Sequence, residues 1–139
     1  MSDSQRFPVA AHTLAYLAHK GAYSREQAVS SSVLAASIPT NPVVIRRMTT
    51  QLAKAGLVDT CSGVSGGTWL LKSAADIGLD EVLHAVNGCA HLGSAPPGAD
   101  GCPVGQAIPK AVSGAMKKAN AAATDALAHI TVADLIRNI

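Results

Sequence analysis

Aromatic side chains are nearly missing from this chain: one Trp, one Phe and two Tyr among 139 residues. Without large rings the core must be built from Leu, Val, Ile and Ala, which favours closely approaching helices over a thick sandwich of sheets. Charged residues are sparse as well, at 14%. No apolar run reaches the ~18 to 20 residues that a bilayer span needs, so no membrane partner is expected. Met1 to Gln5 lacks the charged-then-apolar pattern of a secretion signal, and a cytoplasmic location is the expectation. Three cysteines, Cys61, Cys89 and Cys102, cannot close a disulfide framework and stand as core residues, reactive thiols or ligands. No Ser-His-Asp spacing, phosphate loop or paired-carboxylate arrangement stands out, so an enzyme is not expected.

Net charge is only +2, too small to imply nucleic acid by itself. Its distribution says more. Residues 1–72 carry seven Lys or Arg against three Asp or Glu, and residues 73–139 carry four against six. The positive half is also the half with the most ordered pattern.

That pattern runs from Asn41 to Leu71. Asn41 followed by Pro42 reads as a helix start, an Asx cap ahead of a proline where no amide donor is needed. Val44, Ile45, Met48, Leu52 and Ala55 then recur at three- and four-residue steps, while Arg46, Arg47, Gln51 and Lys54 fall elsewhere on the wheel. Gly56 occupies the position glycine prefers after a last turn. Leu57 to Cys61 and Thr68 to Leu71 are strand-like, and Gly63, Gly66 and Gly67 supply the reversal between them. A cationic helix followed by a small ribbon is the layout of a winged helix-turn-helix, which sets its helix in a DNA major groove.

The remaining chain fits around this unit. A first helix is predicted over about Arg6 to His19, with Val9, Leu14, Leu17 and Ala18 facing inward. A second covers roughly Arg25 to Ala36, or begins at a serine cap within Ser30 to Ser32. Ser37 to Thr40 is the turn, since Pro39 and Pro42 forbid a continuous helix. A short helix through Val86 follows the ribbon. Residues 87–103, rich in Gly and Pro, form a loop longer than most. From Val104 to about Ala128 a long helix carries Ile108, Val112, Ala115, Ala119, Ala122 and Ala126 at alternating four- and three-residue steps, a seam suited to a twin helix. Pro109 and Gly114 could kink it. Thr131 caps a last helix over Val132 to Ile139. The fold class expected is mainly α with a small β-ribbon: a winged helix-turn-helix over 1–86, a sensor-type loop over 87–103, and a dimerisation helix with a C-terminal helix over 104–139.

Five segments, in order, resemble the Rrf-type family of bacterial winged-helix transcription regulators, the relatives of IscR, NsrR and CymR. They are Thr40 to Arg47, Leu52 to Val58, Gly63 to Gly67, Asp80 to Val86 and Cys102 to Gly105. The first and last are most similar to its YwnA-like branch. The resemblance implies a homodimer joined through the long helix, with two recognition helices reading a palindromic operator in double-stranded DNA. It places Asn41, Val43 and Arg46 at base edges, and Arg47 and Lys54 at phosphates or as secondary base readers. Thr40 and Ser65 are candidate phosphate contacts. The wing departs from the family pattern: Ser62 stands where a basic residue is common, and Thr68 where an aromatic is.

Cys102 matches the last of three family loop cysteines; Cys89 lies thirteen residues earlier, and the middle one is missing. Cys102 and Cys89 are therefore candidates for redox or ligand sensing. A cluster needs four ligands, and two thiols would require His84, His91 or a partner subunit. No cofactor and no other metal site is expected. The expected function is a dimeric DNA-binding regulator, a repressor tuned by thiol state or a ligand. The competing readings are an iron–sulfur or metal-dependent redox sensor and a protein-interaction module. In the plainest reading, Arg46 and Arg47 are merely a solvated helix face.

Overall fold

The computed structural model describes residues 3–87 and 92–139. Six α-helices and one two-stranded ribbon follow in the order α1 (Asp3–His19), α2 (Ser31–Ser37), α3 (Pro42–Lys54), β1 (Val58–Cys61), β2 (Gly67–Leu70), α4 (Leu79–Asn87), α5 (Pro103–Ala128) and α6 (Val132–Leu135). Short 3₁₀ turns at Arg25–Gln27 and Ala74–Asp76 complete the regular structure among the described residues. The mainly helical fold with its small ribbon is the one the sequence predicts.

Leu14 and Leu17 of α1, Leu34 of α2, Ile45 and Leu52 of α3 and Val82 of α4 are fully buried in one cluster with Leu57, Val58, Leu70 and Ile77. This core is aliphatic, as the shortage of rings requires. Trp69 only packs along its edge. Val132 of α6 is fully buried in the same cluster, and α6 lies against α1. The C-terminal segment thus returns to the first helix, fastened where the N–H of Leu79 donates to Ile130 O and that of Val132 to Ile77 O.

Several boundaries differ from expectation. Helix α1 begins three residues before Arg6 and runs through Pro8. The segment expected as one helix from Arg25 is divided, and the serine-capped alternative holds: Ser30 Oγ accepts from Val33 N–H at the start of α2. The interruption has a tertiary cause. Val29 is extended and exchanges two hydrogen bonds with Thr68, so it serves as a third rung beside the ribbon. Helix α5 is continuous through Pro109 and Gly114. Proline removes the donor that would meet the carbonyl four residues earlier, here Gly105 O. That carbonyl rests against Gly98 so closely that a Cβ at 98 would lie 1.5 Å from it. The last helix ends at Leu135 rather than Ile139, after a capping box in which Thr131 and Asp134 satisfy each other's amides.

The ribbon is antiparallel, pairing Val58 with Leu70 and Cys61 with Gly67. Its root is held on three sides: by the core, by Val29, and by Ala22 O, which accepts from Leu70 N–H. A Cβ at Gly67 would meet Val29 O at 2.5 Å and Val29 C at 2.6 Å. Backbone cannot swing aside like a flexible side chain. Gly67→Ala should therefore cost about 1 to 3 kcal/mol through forced backbone shifts, read as a lower thermal midpoint. An unchanged midpoint would mean that the ribbon is not seated on Val29 this way.

Glu81 ties the ribbon's exit to α4. Its carboxylate accepts from Gly78 N–H and pairs with Lys72 Nζ, each at 3.0 Å. Burial pushes its pKa up, but the Gly78 hydrogen bond and the Lys72 charge outweigh burial and hold it below the ordinary value of 4.5. A depressed carboxylate contributes stability that is complete above its unfolded-state pKa and is lost as pH falls through its lower folded value. Glu81→Gln should flatten that acid limb of the melting curve and leave its neutral-to-alkaline shape unchanged. A variant with the same acid dependence as the original would contradict this assignment.

Candidate nucleic-acid interface

Helix α3 has two opposite faces. Asn41 Oδ1 caps it by accepting from Val43 N–H at 2.9 Å, and Pro42 takes the first turn. Ile45, Met48, Thr49 and Leu52 are buried, and at 100° per residue they occupy an arc of about 100°. Val43, Arg46, Arg47, Thr50 and Lys54 are exposed and occupy the opposite arc of similar width. Three of those five are cations and none is acidic. The inner face is fixed by the core, so this outer stripe has one direction in which to point.

A cleft runs along each flank of the stripe. On one side, Arg46 and Thr50 meet Ser30, Ser31, Thr60 and Ser62 in a groove of about 550 Å³ between α3 and the wing. Arg46 Nη1 donates to Ser31 Oγ at 3.2 Å, so α2 orients this guanidinium toward the wing side. Thr49 and Thr50 hydroxyls both donate to the Arg46 carbonyl, at 3.1 and 2.8 Å. On the other side, Arg47, Thr50 and Gln51 share a cleft of about 390 Å³ with Arg6 of α1. The wing itself carries no charged side chain from Thr60 to Leu71, and Val64 and Ser65 are exposed at its tip.

Of the predicted DNA contacts, Val43, Arg46, Arg47 and Lys54 share the one outer stripe. Asn41 is exposed at its head, with its carbonyl oxygen used in the cap and its amide nitrogen outside it. Thr40 is half-buried, and its N–H donates to Ala35 O, which closes the turn before α3. Ser65 lies apart from these, on the wing. Thr50, the α2 serines and Arg6 line the same clefts without having been expected there. Thr50 stands four residues after Arg46, so the helical wheel could have found it. Nothing in the local sequence links Arg6 to a helix that begins thirty-six residues later.

Cys102 is exposed and caps α5, its Sγ accepting from Gly105 N–H at 3.4 Å. Cys61 is half-buried on the wing, within the groove that Arg46 lines. Cys89 and His91 lie outside the described residues. Among the described residues no three His, Cys, Asp or Glu gather as a metal-holding group. Cys102, which already serves as a cap, does not by itself supply a ligand set for iron.

No residue of α5 is buried. Val104, Ile108 and Val112 are exposed along it, and Ile108, Val112 and Met116 border an apolar cleft of about 420 Å³ beside Leu92 to Pro96. No helix among the described residues is long and apolar enough to cross a membrane.

Comparison with known proteins agrees with this geometry. YwnA of Bacillus subtilis, named an HTH-type transcriptional regulator, is 33% identical over 137 residues, spanning 98% of each chain. The crystal structure of a transcriptional regulator from Lactobacillus plantarum is 27% identical, with a TM-score of 0.78 over 96% of this chain and 89% of that one. The oxidised form of CymR from Staphylococcus aureus shares the fold at 19% identity, with a TM-score of 0.67 over 100% of this chain and 98% of that one. Residues 3–138 match the Rrf2 family, described as iron-dependent transcriptional regulators. Matched over nearly its whole length, with a capped cationic helix, a ribbon and a long α5, the chain belongs to the Rrf2 family of transcriptional regulators.

Proposed function

We propose that the protein is a homodimeric, sequence-specific DNA-binding repressor that acts at a palindromic operator. The observation that carries this reading is the outer stripe of α3, where Val43, Arg46, Arg47, Thr50 and Lys54 stand together, flanked by clefts on both sides. A major groove about 12 Å wide admits one α-helix. In that setting Arg46 and Val43 near the helix start face base edges, and Arg47 and Lys54 lie nearer the phosphates. Asn41 offers its amide nitrogen at the same end.

The dimer is supported by α5. Twenty-six residues make a rod about 39 Å long, of which none is buried. Leu127 near its end is half-buried against the core, but Val104, Ile108 and Val112 stay exposed along the rest, and most helices in proteins depend on tertiary packing. A twin packed on Ile108, Val112 and the alanine seam would supply it. Two copies related by a two-fold axis then offer two recognition helices to half-sites one helical turn apart.

Cys102 is the candidate tuning point. Its sulfur faces the amide end of α5, accepting from Gly105 N–H. Oxidation there would disturb the cap and the Gly98–Gly105 contact at the root of the dimer helix. A shift of that helix changes the spacing of the two recognition helices and so the affinity for a palindrome of fixed spacing. Cys89, or a thiol of the twin subunit, is its candidate partner in a disulfide.

Selection of bound fragments from a random duplex pool tests the reading. An enriched two-fold sequence, bound by two protomers, is expected. Arg46→Ala should lose about 1 to 3 kcal/mol of discrimination at one base pair of each half-site. A pool without enrichment, or a variant that binds the enriched duplex as tightly and as selectively as the original, would end the proposal.

A further inference from the structure

We propose that Ser31 is a positioning residue for specificity: its hydroxyl holds the Arg46 guanidinium in the orientation from which Arg46 reads a guanine of each half-site. This rests on the DNA reading above and adds to it a residue that sets a base preference through another side chain. Arg46 Nη1 donates to Ser31 Oγ at 3.2 Å, across the junction of α3 with α2. Among the described residues, Arg46 is the only cation of the outer stripe with a side-chain hydrogen bond.

Both ends of this tie have a fixed base. Leu34 and Ala35 bury one face of α2, Ile45 and Met48 bury one face of α3, and the two helices pack on each other. Ser30 Oγ already caps α2 by accepting from Val33 N–H. The half-buried Ser31 hydroxyl is therefore not needed for the cap. No acidic side chain lines the groove in which the pair stands. A carboxylate there would hold the guanidinium too, but would cancel its charge and compete with DNA for it. A neutral hydroxyl orients the group and leaves its charge available.

A guanidinium carries five N–H donors in a planar fork. With Nη1 held, Nε–H and Nη2–H remain as a parallel pair, and two such donors match guanine O6 and N7. An arginine held by nothing must lose more side-chain freedom to make that contact. It can also settle on a phosphate, which carries no sequence information. The Ser31 tie favours the base.

Ser31→Ala removes the hydroxyl and leaves every charge in place. Its binding is measured to the duplex enriched by the unaltered protein, and to one with adenine replacing guanine at the position that Arg46→Ala relaxes. Preference for guanine should fall about fivefold. Preferences elsewhere, and the slope of log affinity against log salt, should stay as they were. Ser31→Thr, which keeps a hydroxyl, should keep the guanine preference. In an Arg46→Ala background, Ser31→Ala should cost nothing further. Full guanine preference in a folded Ser31→Ala, or an equal loss in both backgrounds, would overturn this role. So would an Arg46→Ala that relaxes a position other than guanine.

In the free, unaltered protein, the Arg46 Nε–H should be more ordered than that of Arg47 on the picosecond-to-nanosecond scale, read by heteronuclear relaxation. This measurement needs neither DNA nor a variant that folds, and equal mobility of the two would break the tie. An enriched duplex whose guanine preference ignores Ser31 removes the positioning role alone. A protein that enriches no duplex removes the DNA reading with it.

Discussion

The burial of one face of α3 governs the rest of this structure. Ile45, Met48 and Leu52 are at most 1% exposed, and covering each contributes about 1.5 to 3 kcal/mol. They contact a core shared by α1, α2, α4 and the root of the ribbon. No rotation of α3 about its axis keeps these three covered, so the opposite stripe is forced outward. Its cations are presented outward by that packing. The wing and α2 then fix the flank. Val29 bonds to Thr68, Ser31 holds Arg46, and Gly67 lies against the Val29 backbone without room for a side chain.

The most legible parts of the chain were those whose signals are local. Asn41 and Pro42 mark the start of α3 with a cap and a residue that needs no donor. Gly56, with its positive φ of 78°, ends the turn that follows. The glycines after Cys61 reverse the ribbon. The spacing of the cations on α3 was equally readable, because a helical wheel needs only the sequence of one element. What escaped depends on contacts between distant segments. The extended Val29 splits the helix expected from Arg25, and its reason is a rung offered by Thr68, thirty-nine residues later. Arg6 lines a cleft with Arg47 only because α1 lies beside α3. Pro109 looked like a kink, yet the carbonyl it deprives of a donor is tucked against Gly98.

The two ends of the molecule have opposite characters. The α1–α4 unit has a filled aliphatic core and a single cationic ridge. Helix α5 leaves that unit with an unburied face, and the short α6 returns to lock its far end through Val132. The rod is touched near its start, where Gly98 meets Gly105, and near its end, where Leu127 packs on the core. From Thr60 to Leu71 the wing carries no charge, and the cations beside it stand on α3. Net charge of the whole chain hides this division, because the C-terminal half is slightly acidic.

Mapping of backbone amide chemical shifts during titration with the enriched duplex tests the central claim most directly. The account predicts the largest perturbations at the head and outer stripe of α3, from Val43 to Lys54, with weaker ones at Ser31 and the wing tip. Perturbations confined to α4 or α5, with α3 unmoved while DNA is bound, would contradict it.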